Sequence, residues 1–190
     1  MFIQTERTPN PATLKFLPGR EVMGEGGTAD FPDAEAASAS PLAEALFGLD
    51  EVEGVFFGHD FVTVTKREDD EWQALKPRIL GVMMQHFTSG APLLKEGAEL
   101  GPAHTDSGEA DGVDGEVVSQ IKALLDEKVR PAVAQDGGDI TYHGFEDGVV
   151  YLHMQGACSG CPSSTMTLKQ GIENLLRYYI PEVTEVRPLV

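Results

Sequence analysis

The sequence predicts an α+β protein: two small mixed α/β domains, residues 1–90 and 116–190, joined by a flexible acidic linker over 91–115. Three observations predict it. A chain of 190 residues suits one to two compact units. On each side of 91–115, runs of β-branched and aromatic residues bounded by turn formers stand beside runs with helical apolar spacing. Between Ala91 and Gly115 the hydrophobic period disappears, Gly, Ala, Glu and Asp dominate, and Lys95 is the only Lys or Arg.

In the N-terminal domain, Phe2 to Glu6 and Thr13 to Leu17 read as strands of a hairpin, turned by Thr8-Pro9-Asn10-Pro11. A Gly- and Ala-rich stretch follows. Ser40 then offers an N-cap, Pro41 a first helical position and Gly48 a stop, which marks a short helix. Val52 to Phe57 and Phe61 to Lys66 form a second hairpin around Gly58-His59-Asp60. Trp72, Leu75, Ile79, Val82, Met83 and Phe87 follow helical spacing, and Pro77 is expected to split them into a lead-in and a main helix.

The C-terminal domain reads as α-β-β-α-β. Val117, Ile121, Leu124 and Leu125 share one helical face, with a stop expected near Arg130-Pro131. After the turn Asp136-Gly137-Gly138-Asp139, Ile140 to Phe145 and Val149 to Met154 form a hairpin around Glu146-Asp147-Gly148. Leu168, Ile172, Leu175, Leu176 and Tyr179 make the apolar stripe of a second helix, Pro181 ends it, and Val183 to Val186 offer a last strand.

Composition excludes several classes. The formal net charge of −17 repels a phosphate backbone, and no basic cluster interleaved with aromatics offsets it, so nucleic acid is not an expected partner. The same charge opposes anionic lipid, and no apolar run approaches the roughly 20 residues that cross a bilayer, so no membrane is expected either. The opening residues Met1 to Glu6 lack signal- or transit-peptide character, which makes the cytoplasm the expected address. In that reducing compartment the two cysteines, three positions apart, point to metal or redox chemistry before a structural disulfide.

Gly156-Ala157-Cys158-Ser159-Gly160-Cys161-Pro162 lies between a strand end and a helix start, where a turn can aim both sulfurs at one spot. Pro162 suits the first helical turn, and the helix dipole there favours thiolate over thiol, so Cys158 and Cys161 are the candidate metal ligands. Gly156 and Gly160 would let an inorganic cluster approach the backbone, or would serve the turn alone, and Ser159 could add a hydrogen bond. Zinc and iron-sulfur clusters want about four protein ligands, and one chain supplies two. A two-fold dimer doubles the pair to four thiolates on its axis. Three readings stay open at this point: an iron-sulfur cluster shared by two chains, a zinc-bridged structural dimer, and a thiol-disulfide oxidoreductase.

Weaker motifs read more simply. His153, the nearest histidine in sequence, is better explained as a surface or core residue than as a ligand. Gly24 to Ala29 matches a dinucleotide-binding fingerprint by letter, but Phe31-Pro32-Asp33 stands where its helix should begin, so it reads as loop. Asp136 and Asp139 could pair as acid and base or hold a hard cation, and their two intervening glycines favour a plain turn. No Ser-His-Asp arrangement is assignable, and no enzymatic activity is expected.

Val129 to Ile140, followed by Gly156 to Thr165 around the cysteine pair, resembles the C-terminal signature of the NifU-like, or Nfu, iron-sulfur cluster carriers. Thr5 to Pro11 and Asp60 to Lys66 resemble the accessory N-terminal domain of many members. The resemblance implies a 4Fe-4S cluster bridging a homodimer through Cys158 and Cys161. It implies apo iron-sulfur proteins as acceptors, upstream cluster assembly proteins as suppliers, and an N-terminal domain that modulates cluster handling without binding iron.

Overall fold

Proline and asparagine chemistry closes the first hairpin of the computed structural model, which describes residues 1–25, 27–98, 113–160 and 162–189. Thr13 N–H donates to Asn10 C=O at 3.0 Å, and the Asn10 side-chain oxygen accepts from Ala12 N–H at 3.0 Å. That turn joins β1 (Gln4–Arg7) to β2 (Thr13–Leu17). With β3 (Ala29–Phe31), β4 (Val52–Phe57) and β5 (Val62–Lys66) they form a wholly antiparallel sheet of order β1-β2-β5-β4-β3. Phe16, Phe31, Phe57, Val62 and Val64 project from one face into the first core. There they meet Leu42 and Leu46 of α2 (Pro41–Phe47) and Leu75, Ile79 and Met83 of α3 (Trp72–Ser89). Each such large apolar side chain contributes roughly 1.5–3 kcal/mol on burial.

The Ser40 cap of α2 is as expected, its hydroxyl oxygen accepting from Ala43 N–H at 3.2 Å. β3 and α1 (Ala34–Ala37) were not evident in the sequence: a three-residue strand and a single capped turn are too short to show a period. Pro77 does not split the helix either. α3 runs unbroken, because Pro77 sits near the helix start and both it and Gln73, the residue four positions before it, are exposed, where solvent can stand in for the N–H that proline lacks.

The second unit opens with α4 (Val113–Leu124), a π-helical turn (Leu125–Val129) and α5 (Arg130–Gln135). The expected stop at Arg130-Pro131 is therefore displaced to Gln135. Arg130 N–H reaches five residues back to Leu125 C=O, so the hydrogen-bond ladder re-registers just where Pro131 has no N–H to give. β6 (Gly138–Glu146) and β7 (Val149–Gly156) pair antiparallel with a bulge between Tyr142 and Gly144. α6 (Pro162–Tyr179) crosses back to β8 (Glu185–Leu189), parallel to β7 and two residues later than its expected start. Ile140, Val150, Leu152 and Met154 pack under Ile121, Leu125, Ile172 and Leu176 as a second core.

The chain thus divides into two units, Met1–Gly101 and Pro102–Val190. The stretch 91–115 is narrower as a connection than its composition suggests. Ser40 Oγ donates to Leu93 C=O at 2.6 Å, Lys95 N–H donates to Ala39 C=O at 2.9 Å, and Leu93 and Leu94 pack against the first core. Val113 already begins α4, and 99–112 lie outside the described residues. Among the described residues, no helix is long and apolar enough to cross a membrane.

Candidate metal centre

The candidate site forms where β6 begins and β7 ends. Gly138 pairs with Gly156 in the sheet, and each is bounded by a turn that only glycine adopts comfortably: Gly137 has φ 82° and Gly156 φ 64°. Ala157 N–H donates to Gly137 C=O at 3.1 Å, which ties the cysteine turn to the Asp136–Asp139 turn. Ser159 closes its own turn, with N–H and hydroxyl both donating to Gly156 C=O, at 3.1 and 3.0 Å. Gly160 at φ 78° then releases the chain towards α6. From the first turns of that helix, Thr165 Oγ1 donates to Cys158 C=O at 3.1 Å.

Cys158 is consequently held on both sides and at its own carbonyl. Its side chain does not face outward. The residue is 5% exposed, belongs to the second core, and its sulfur lies so close to Gly138 that a Cβ there would stand 2.7 Å away. Burial pushes the Cys158 thiol up to about 12, and the carboxylates of Asp136 and Asp139 add to the rise. The thiolate-favouring environment expected at a helix start is thereby corrected for Cys158: removal from water and two nearby negative charges outweigh the helix dipole. Cys161 lies outside the described residues.

Asp139 is neither an acid-base partner of Asp136 nor a cation ligand here. Arg130 Nε and Nη2 each donate to one of its oxygens at 2.9 Å, a bidentate pair in which the Asp139 side chain is 5% exposed. Arg130 also reaches Asp126 at 3.2 Å. Sequence reasoning missed this pair, which joins the end of the π turn to the strand beside Cys158. It also missed the role of Gly138. The available signal was the second glycine: Gly137 alone satisfies the positive φ, so Gly138 needs another reason, and close approach of Cys158 is that reason.

His153 stands opposite Thr141 and Leu189 on β6 and β8, on alternate positions to the core-facing Leu152 and Met154. It does not join the cysteine turn. Among the described residues, no group of three or more His, Cys, Asp or Glu could hold a metal ion. Gly24 has φ 77°, and the extended β3 follows the loop it belongs to, which removes the dinucleotide reading.

Residues 3–90 match a family model described as scaffold protein Nfu/NifU N terminal, and residues 121–187 match one described as NifU-like domain. The chain is 52% identical over 186 residues to "NFU1 iron-sulfur cluster scaffold homolog, mitochondrial" of Drosophila sechellia, and 53% identical to the protein of the same name in Drosophila erecta. Those alignments take in 98% of this chain and 64% of each relative's length. A solution structure of a NifU-like protein from Saccharomyces cerevisiae aligns over 50% of this chain and 86% of its own, at 27% identity and a TM-score of 0.45. The relatives' mitochondrial names overturn the expected cytoplasmic address; the character of Met1 to Glu6 is no guide to location when the chain spans under two thirds of the proteins it matches. With one Nfu/NifU model on its first half and the other on its second, the chain belongs to the NifU-like (Nfu) iron-sulfur cluster scaffold family.

Proposed function

We propose that this chain binds a 4Fe-4S cluster through Cys158 and Cys161 of two copies and hands it to apo iron-sulfur proteins, after receiving it from upstream assembly proteins. The cluster is cargo, and no bond-making activity on another substrate is part of the reading. The observation that carries it is the poverty of donors around a glycine-bounded cysteine turn. Cys158 is the one soft ligand among the described residues of the site, and no His, Asp or Glu completes a set with it. Thiolates suit iron-sulfur clusters, and a second copy of the same turn supplies what one chain lacks.

The buried position of the sulfur fits a carrier. Loading requires the turn between Gly156 and Gly160 to swing Cys158 away from Gly138, with the positive-φ glycines as pivots. Unloading lets the sulfur return to the core, which opposes tight retention. A thiol-disulfide exchanger would need an exposed, readily ionised attacking thiol, and Cys158 is neither. Transfer is the test. Cluster-loaded protein should restore activity to an apo 4Fe-4S dehydratase faster than free iron and sulfide do, and Cys158→Ala with Cys161→Ala should abolish that gain. Equal rates from loaded protein and free ions would defeat the carrier reading.

A further inference from the structure

A cavity of about 150 Å³ opens in the N-terminal unit, in a part of the chain with no cysteine. The chain leaving β2 forms one wall through Arg20, Glu21 and Val22, and the end of α3 with the residues after it forms the other through His86, Phe87 and Leu93. His86 is 8% exposed, and its ring makes no hydrogen bond among the described residues; the Ser89 hydroxyl donates to its backbone C=O at 2.7 Å and leaves the imidazole free. Its ring nitrogens are nevertheless not sealed inside the protein, so a polar edge of the ring stays within reach of a ligand. Phe87 packs edge-on against it, with centroids 5.4 Å apart. The Arg20 guanidinium lies 5.6 Å from the Phe87 ring centroid and has no ion pair among the described residues.

Two charged residues line the cavity, Arg20 and Glu21. His59, outside the lining, is held above its ordinary range, first by its hydrogen bond with the Gly24 backbone, with Asp60, Glu21 and Glu25 adding to the rise. His86 is held below its range, first by burial and then by the Arg20 charge. The Glu21 charge thus acts on His59, and the Arg20 charge acts on His86. The carbonyl end of α3 opposes an anion with about half a charge, which a full guanidinium charge outweighs.

We infer that this cavity binds a carboxylate carried on a short apolar stem, with Arg20 taking the carboxylate and His86 donating a hydrogen bond to it from its ring. A guanidinium fork matches the planar carboxylate. Val22, Phe87 and Leu93 offer apolar wall to a few carbon atoms. A multiply charged phosphate is less suited, because Arg20 lines the cavity together with one carboxylate, Glu21, in a chain of net charge −17. The carboxylate can belong to a free small acid or to an acidic side chain of a partner protein.

Titration of the labelled, metal-free full chain with sodium propionate tests this, with sodium chloride as control and amide and imidazole resonances as readout. Saturable shifts are expected at Val22, His86, Phe87 and Leu93, together with a rise in the pH at which His86 titrates. Arg20 is exposed, so Arg20→Gln should fold normally and weaken propionate at least tenfold. His86→Phe should also weaken it. The same titration with N-acetylglutamate N-methylamide separates the sources: matching shifts assign a protein side chain as a competent ligand, whereas response to propionate alone assigns a free acid. Shifts that rise linearly, match those of chloride and survive Arg20→Gln would overturn the site. Cys158→Ala with Cys161→Ala should leave it unchanged, which separates it from cluster binding.

Discussion

Replacing Gly138 by alanine adds one methyl group where sheet and cysteine turn meet. The new Cβ would stand 2.6 Å from Gln155 C=O, 2.7 Å from Cys158 Sγ and 3.1 Å from Cys158 N, against an ordinary contact distance of 3.4–4 Å. Two of those atoms are backbone and the third belongs to a cysteine fixed at its flanks, so no flexible side-chain end can yield. The start of β6 must move from β7, or Cys158 must leave the core. Overpacking of this kind costs roughly 1–3 kcal/mol. At about 2 kcal/mol, a unit of this size should melt about 8–16 °C lower. Amide exchange and thermal melting of the metal-free chain measure this, and Trp72 fluorescence serves as an internal control, because the single Trp lies in the other unit. Adding Cys158→Ala should recover part of the loss, since it removes the sulfur contact and leaves the Gln155 contact. Melting unchanged in Gly138→Ala, with protection of β6 and β7 intact, would refute the reasoning.

Other expectations follow from the same packing. Asp139→Asn should destabilise the second unit by about 3 kcal/mol in chemical denaturation, because Arg130 loses the charge it pairs with on both oxygens. Ser40→Ala should destabilise the first unit by about 2 kcal/mol, since it deletes the α2 cap and the partner of Leu93 C=O, and should raise amide exchange at Lys95. Burial pushes the Asp30 carboxyl up to about 6. Its folded value therefore lies above the unfolded one, so the stability it contributes is complete below about pH 4 and is lost as pH rises through about 6. Asp30→Asn should accordingly be more stable than the parent by about 1–2 kcal/mol at about pH 7.5 and no more stable at about pH 4, as read from paired urea melts.

Elements whose signal is local were legible in the sequence. The Ser40-Pro41 helix start, both hairpins of the first unit and the α-β-β-α-β order of the second follow from caps, turn residues and periodicity. Elements that exist through pairing were not: β3 is held by Val55 to Phe57 of β4, and nothing within Ala29-Asp30-Phe31 requires a strand. The two prolines misled for one reason. A missing N–H breaks a helix only where the ladder cannot do without it, and neither the exposed early turn around Pro77 nor the π turn before Pro131 meets that condition. At the site, spacing singled out Cys158, but the inward turn of its sulfur depends on Gly138 and on the depth of the second core, which are tertiary facts. The Arg130–Asp139 pair is equally non-local, because helix register decides which acid Arg130 meets.

Donor shortage within one chain is the central claim, and stoichiometry tests it most directly. After anaerobic reconstitution with iron and sulfide, native mass spectrometry of the intact chain should show one 4Fe-4S cluster per two chains, with visible absorption absent from the Cys158→Ala, Cys161→Ala protein. A full cluster retained on a single chain, or a colourless zinc-bound dimer, would contradict it.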